Sequence, residues 1–303
     1  MHEFEFIDWL RRLLDRPGDR QQIPVGIGDD MAVVNFHGGK LLIGSDMTIE
    51  GVHFDLANVK MEQIAHKALG RCLSDCAAMA GVPVGAVISV AKPDSLSEEM
   101  LKDLYRGFSK FACPIIGGDT SHSPDRLVID VCLLGECVGN EPVLRSGAEP
   151  GDYLYVTGAL GGSILGKHLN FEPRIEQALW IARNLPLHAM IDISDGLSSD
   201  LNHLCRESKC GAEIFLQNLE TIISDDAKKL AGTTNKNSID HALNDGEDFE
   251  LLAAIALSPE NLPPLPLNVG LFPIGKIISE KNIYIVEQNC TRKKLIPGGY
   301  SHF

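Results

Sequence analysis

The sequence lacks several features that would place it at once. It holds eight cysteines, at spacings such as Cys72-x3-Cys76, Cys132-x4-Cys137 and Cys205-x4-Cys210, but no CxxC pair and no CxxC…HxxxH array. That spacing argues against a structural zinc site. Several of the cysteines lie inside apolar runs, where a reduced thiol behaves as a small hydrophobe, so a reducing compartment is expected. No apolar run reaches the length that spans a bilayer. The opening stretch MHEFEFIDWLRRLLDR reads as an acidic amphipathic helix without the basic-then-apolar order of a signal peptide, and the expected location is cytoplasmic. Positive charge is scarce: 27 Lys and Arg stand against 41 Asp and Glu, a net charge of −14. This argues against nucleic acid or an anionic membrane as partner. It suits a protein that gathers metal cations. No G-x-S-x-G elbow occurs and no cysteine has an evident Cys–His setting, so covalent nucleophilic catalysis has no visible carrier.

With 303 residues, 44% hydrophobic and 22% charged, the chain is expected to be globular with a sizeable core, as two domains or one large α/β unit. Strand-like segments MAVVNF, KLLIGSDMTI, VGAVISVA, CPIIGGDT and RLVIDVCLLGECV are interleaved with helical patterns over 61–80 and in SLSEEMLKDLYRGFSKFA. A Gly-, Pro- and charge-rich stretch over 139–152 marks a boundary, giving domains 1–140 and 141–303. Beyond it YLYVTG, AMIDISDGL, AEIFL, FELLAAIAL, LFPIGKII and NIYIV read as strands. Two helical segments are expected after YLYVTG, and another at SSDLNHLCRES. Alternation in both halves predicts α/β or α+β domains.

A short apolar strand followed by a turn bearing aspartate recurs along the chain: VGIGDD (Asp29, Asp30), IGSD (Asp46), IIGGDT (Asp119) and IDISD (Asp192, Asp195), with Asp75 in the helical CLSDCAAM. Strand ends gather along one edge of a sheet, so these acids are expected to converge. Converging carboxylates titrate upward unless cations sit among them. Oxygen donors with Ser and Thr nearby suit Mg2+ shared with phosphate oxygens. Several of these residues also have an ordinary reading: Asp29 or Asp30 as a turn residue, Asp75 as an i,i+4 partner of Arg71 and Asp195 as a helix cap, while the basic Arg145 reads as a linker charge. His53 alone reads as a core histidine. GGSILGKH also matches G-x-x-x-x-G-K, but His168 stands where a P-loop needs Ser or Thr.

Taken in order, the blocks GIGDDMAVV, SDMTIEGVHF, HKALGRCLSDCAAM, IIGGDT, RSGAEPGDYLYVTG, IDISDGLSSDL, DGEDFELL and GGYSHF resemble the thiamine-monophosphate kinases, a family of the aminoimidazole-ribonucleotide synthetase superfamily. The blocks cover nearly the whole chain and are specific jointly. The resemblance implies a two-domain α/β (α+β) fold like that of aminoimidazole-ribonucleotide synthetase. Its N-terminal sheet domain would bind ATP and Mg2+ and pair in a homodimer, and its C-terminal domain would be α/β. It also implies transfer of the ATP γ-phosphoryl to the phosphate of thiamine monophosphate. Carried over motif by motif, it makes Asp30, Ser45, Asp46, Asp75, Asp119, Asp192 and Asp195 ligands of several Mg2+ ions, with Asp46, Asp119 and Asp195 catalytic. It gives Tyr105, Gly117, Gly118, Arg145 and Ser194 to ATP, and His53, Glu247 and Tyr300 to the acceptor. The chain departs from the family pattern at Cys72 (usually Asn), His122 (commonly Arg) and Ser301 (frequently Asp). Two alternatives stay open: the same ATP and Mg2+ site acting on another acceptor, and a non-catalytic nucleotide-binding paralogue.

Overall fold

Strand periodicity and strand burial agree closely in the first half. β1 (Ala32–Phe36) and β2 (Gly39–Ile49) form a hairpin, followed by helix α1 (Met61–Ala78), β3 (Gly81–Lys92), α2 (Glu98–Phe108), β4 (Ile115–His122) and β5 (Val128–Cys137). In β5, Ile129, Val131 and Leu133 are fully buried while Val128, Asp130, Cys132 and Leu134 are only half-buried. This is the period-two signature of a sheet covered on one face. The structure is a computed structural model and describes residues 21–137 and 141–300, preceded by Glu5, Ile7, Trp9, Arg12 and Leu13, which are helical. The rest of the expected opening helix, the junction at residue 140 and Ser301 lie outside the described residues.

The first sheet has the order β1-β2-β5-β3-β4, antiparallel except for the parallel β3–β4 pair. α2 begins at Ser97, whose side chain accepts the Met100 N–H, with Glu98 and Glu99 in the first turn. Both features favour a helix start at the positive end of the dipole. α2 lies against α1 so closely that a Cβ at Gly107 would stand 2.6 Å from the Ala65 Cβ.

The second half supplies β6 (Tyr153–Val156), α3 (Ile175–Asn184), β7 (Leu187–Asp192), α4 (Leu197–Ser208) and β8 (Gly211–Phe215). Three short helices follow, α5 (Leu216–Thr221), α6 (Asp225–Ala231) and α7 (Ser238–Asn244), then β9 (Leu251–Ile255), β10 (Phe272–Ile278), β11 (Ile283–Val286) and β12 (Arg292–Lys294). The strands make one sheet ordered β12-β11-β8-β10-β6-β9-β7. Instead of the first helix expected after YLYVTG, two single 3-10 turns occur, Ser163–Leu165 and Lys167–Leu169. Gly166 (φ 140°) ends the first turn and starts the second, which prevents a continuous helix there.

Helix α1 lies between the two sheets and touches β2, β3 and β5 on one side, and β7 and α3 on the other. Ile64, Ala68, Leu69 and Cys76 pack in the core of the first half, whereas Ala77 and Ala78 join Tyr155, Ile181 and Leu251 in a cluster at the seam. Among the described elements of the two halves no helix packs on the opposite face of the first sheet, where Leu41, Ile43, Val87 and Leu134 are half-buried and Met47 is exposed. Gly107→Ala should lower stability by about 1–3 kcal/mol through overpacking of α1 on α2, read by urea unfolding. An unchanged midpoint would show that the helices can separate freely.

Candidate active site

The carboxylates are placed by three kinds of local structure. Asp192 ends β7, and Ser194 and Asp195 form the turn that leads through Gly196 (φ 114°) into α4. Asp29 and Asp30 sit in the bend before β1, and Asp75 sits on α1. Asp46 and Asp119, expected at strand ends, lie instead inside β2 and β4, because β2–β5 and β3–β4 pairing runs through both positions.

Asp30, Asp75 and Asp192 each offer an oxygen such that the three lie within 4.8 Å of one another. One guanidinium serves them. Arg145, on the connector between the halves, donates to both oxygens of Asp30 at 3.0 and 2.9 Å, and its backbone N–H reaches Asp29 at 3.3 Å. The connector arginine therefore ties the two halves together at the acid cluster. Ser74 donates to Asp192 at 2.7 Å. These contacts do not balance the charge. Burial and then the Asp30 charge push Asp192 up to about 7, against the pull of Ser74 and Arg145. The same two causes push Asp29 to about 7. Burial and the charges of Asp192, Asp46 and Asp30 raise Asp75 well above the carboxylate range. Buried acids that cannot all ionise together are the electrostatic description of a polyvalent cation site.

A second group, Asp195, Asp200 and His203, brings one ligand atom each within 4.8 Å. Asp200, in the first turn of α4, accepts the N–H groups of Asp195 and Gly196 at 3.1 and 3.0 Å. Asp195 does not cap α4, whose N-cap is Gly196 without a side-chain cap; Asp195 lines a neighbouring cavity.

That cavity, about 530 Å³, is bordered by His53, Arg71, Ser194, Asp195, Glu247 and Tyr300, with apolar walls from Ile164, Leu230 and Phe249. The loop carrying Glu247 is pressed onto the Ser194 turn: Glu247 N–H donates to Ser194 O at 2.7 Å and Phe249 N–H to Ile193 O at 2.8 Å. A Cβ at Gly246 would lie 2.6 Å from Ser194 O. Glu247 and Phe249 both hold left-handed backbone (φ 64° and 50°), a strained state that the packing around them must enforce. The chain returns here at its end, where Tyr300 N–H donates to Asp195 O at 3.1 Å. Burial alone would raise the Glu247 pKa, but the His168 ring and the Lys67 ammonium outweigh it and hold the carboxyl at about 2.

Other expected residues stand apart. Arg71 pairs with Asp46 at 2.9 Å and donates to Met47 O at 2.9 Å, so it is committed to β2 and not to Asp75. Ser45 is exposed, 3.4 Å from Asp130. Gly117, Gly118 and Asp119 border a separate shallow hollow with Tyr105. Asp46 shares a row with Val131, Ile88 and Gly118, and Asp119 shares one with Ser89, Asp130 and Met47. Within one chain the two acids therefore occupy opposite faces, three strand spacings or about 14 Å apart. Cys72 is buried and donates to Val131 O at 3.2 Å. His122 is exposed, 3.4 Å from Asp94.

The GGSILGKH segment is not a phosphate loop. Gly161 and Gly162 N–H groups already donate to the carboxylates of Asp248 (2.8 Å) and Asp245 (3.0 Å), and Lys167 is held by Glu250 at 2.9 Å. Sequence reasoning missed Lys67, Arg71, Asp130, Asp200 and His203. One signal was present: Lys67, Arg71, Ser74 and Asp75 fall at i, i+4, i+7 and i+8, a polar stripe on an otherwise apolar helix.

Both the fold and this acid cluster define an AIR synthase-related protein. The family described as "AIR synthase related protein, N-terminal domain" matches residues 28–137. Thiamine-monophosphate kinase of Rhodopirellula baltica is 35% identical over 99% of this chain and 97% of its own length. That of Bacillus subtilis is 32% identical over all of both chains. A solved structure described as AaThiL complexed with AMPPCP and TMP superposes with a TM-score of 0.85 at 30% identity, covering 100% of this chain and 97% of that one. The chain belongs to the thiamine-monophosphate kinase family.

Asp29 and Asp192 titrate near 7 instead of 3.8. The stability they permit is complete below about pH 4 and is lost as pH rises through about 7, because the folded state holds protons that the unfolded state releases. The melting temperature of metal-free protein should therefore fall between about pH 5 and pH 8, with added Mg2+ recovering most at the upper end. A flat profile in EDTA would contradict the cluster's charge state.

Proposed function

We propose that this chain transfers the γ-phosphoryl group of ATP to the phosphate of thiamine monophosphate, giving thiamine diphosphate and ADP, in a Mg2+-dependent reaction. The observation that carries the reading is the convergence of Asp30, Asp75 and Asp192 beside the cavity bordered by His53, Glu247 and Tyr300. Asp195 belongs to both: it lines the cavity, and its charge acts on Asp192.

Surplus buried carboxylate fits hard divalent cations. Asp30, Asp75, Asp192 and Asp195 would hold Mg2+, joined by Ser45, Asp46 and Asp119. When bound, Mg2+ screens the repulsion between donor and acceptor phosphates. The residues supply position and fixed charge. Arg145 adds a guanidinium for nucleotide phosphates, while Ser194 and the Gly117–Gly118 backbone, with Tyr105, contact ATP. The acceptor oxygen is already ionised and the transition state is loose, so no strong general base is required. Glu247, anionic down to about pH 2, faces a cationic thiazolium, and Tyr300 offers its ring to the same charge. His53 borders the acceptor phosphate.

We place the domains at 1–140 and 141–303. The working form is a homodimer paired through the N-terminal sheets. Two features support this: among the described elements of the two halves no helix packs on the apolar face with Leu41, Ile43, Val87 and Leu134, and seven of the eight residues of edge strand β4 are exposed, which leaves a pairing edge open. The location is cytoplasmic, supported by eight free cysteines and, among the described residues, no helix long and apolar enough to cross a membrane.

The direct test is purified protein with ATP, Mg2+ and thiamine monophosphate, followed for diphosphate product. Tight ATP binding without turnover would favour a non-catalytic paralogue, and turnover only with another phosphorylated acceptor would favour a sibling activity. Asp46→Asn and Asp119→Asn should each nearly abolish turnover. Because the two acids lie apart in one chain, a refolded mixture of the two variants should regain about a quarter of wild-type activity through heterodimers with one intact site. No recovery would place both acids in the same copy's site. Leu134→Glu should yield monomers in sedimentation, and an intact dimer would exclude this face as the interface.

A further inference from the structure

Lys67 is fully buried on α1, and a buried ammonium must find an acceptor for each N–H. Its acceptors are His53 O at 2.5 Å and Glu247 Oε1 at 2.5 Å, and His168 Nδ1 lies 2.9 Å from the ammonium. His168 Nδ1 also lies 3.1 Å from Glu247 Oε2, which closes a triangle. These partners come from both sides of the seam. His53 follows β2 in the first half, whereas His168 and Glu247 belong to the second. His53 and Glu247 border the 530 Å³ cavity, and Lys67 itself does not line it.

We propose that Lys67 is a positioning residue that fixes the acceptor end of the cavity by clamping the His53 loop to Glu247 across the seam. The assignment rests on the acceptor reading given above. His53 is held at both ends: its ring Nδ1 accepts the Ile49 N–H at 3.0 Å, and its carbonyl accepts from Lys67. Glu247 keeps a left-handed backbone (φ 64°), a strained conformation that needs restraint from its neighbours. Lys67 restrains it through the carboxylate. The nucleotide side has a contact of its own in Arg145 with Asp30, and the Ser194 turn keeps its backbone bond to Glu247 whatever stands at residue 67. Losing the clamp therefore loosens the acceptor walls more than the nucleotide side.

The experiment is steady-state kinetics of wild type, Lys67→Met and Lys67→Arg with ATP and thiamine monophosphate varied in turn, after circular dichroism and melting curves have established folding. Arginine keeps the charge, but its planar fork does not fit the compact pocket in which an ammonium meets the His53 carbonyl and Glu247 beside His168. Both variants should raise KM for the acceptor about tenfold or more while KM for ATP stays within about twofold. If Lys67→Met does not fold, Lys67→Arg decides alone. The double variant Lys67→Met/Glu247→Gln should add little to Glu247→Gln, because both act on the same wall. An unchanged acceptor KM in folded Lys67→Arg, or equal rises in both KM values, overturns the clamp. Absence of turnover by the wild type overturns the acceptor reading instead, and the two failures are thus distinguishable.

Discussion

Helix α1 is packed between the two sheets, and the molecule is organised around the consequences. Polar side chains on its inner turns cannot reach water, so neighbouring elements of both halves must satisfy them. Lys67 reaches the His53 carbonyl, Glu247 and His168; Arg71 reaches β2; Ser74 reaches Asp192. An unpaired charge in this position costs several kcal/mol, whereas an exposed pair such as Lys102–Glu98 (2.7 Å) contributes only tenths. These polar contacts join the apolar cluster at the seam in aligning the two halves.

The acid cluster turns the same constraint toward function. Four buried or half-buried aspartates around one guanidinium leave a charge deficit that protons fill in the absence of a cation. The fold tolerates this because hydrophobic packing elsewhere is extensive, with separate cores in the two halves and a third at the seam. Stability is given up locally so that polyvalent cations find a prepared site.

The DGEDFELL block shows how neighbouring acids divide their labour. Glu247 faces the cavity. Asp248 is spent on the Gly161 N–H and the Ser163 hydroxyl, and Glu250 on Thr157, Lys167 and Arg174. Asp248 and Glu250 hold the 157–174 segment against β9, which brings His168 to Glu247. The pattern G-x-x-x-x-G-K arises here because left-handed glycines present N–H groups to these carboxylates. A local motif records backbone geometry, and only its surroundings decide which anion it receives.

By itself the sequence determined which elements form and where most begin and end, because period-two and period-3.6 burial, the Ser97 cap and the Gly–Asp turns are local signals. The α1 range, every strand but β12 and the IDISD turn were legible in this way, whereas β12 and the short helices α5 to α7 were not read. The family blocks also named the residues that converge on the cavity: His53, Ser194, Asp195, Glu247 and Tyr300. Tertiary structure alone decided the partners. Sequence spacing offered Arg71 to Asp75, but the neighbouring strand took it for Asp46; a linker arginine became the counter-ion of Asp30; Gly196, not Asp195, became the N-cap of α4. Asp46 and Asp119 read alike along the chain yet lie in mid-strand on opposite faces, since the face a strand residue occupies follows from sheet register and order. Charges buried between elements choose partners by distance through space, which no one-dimensional spacing encodes.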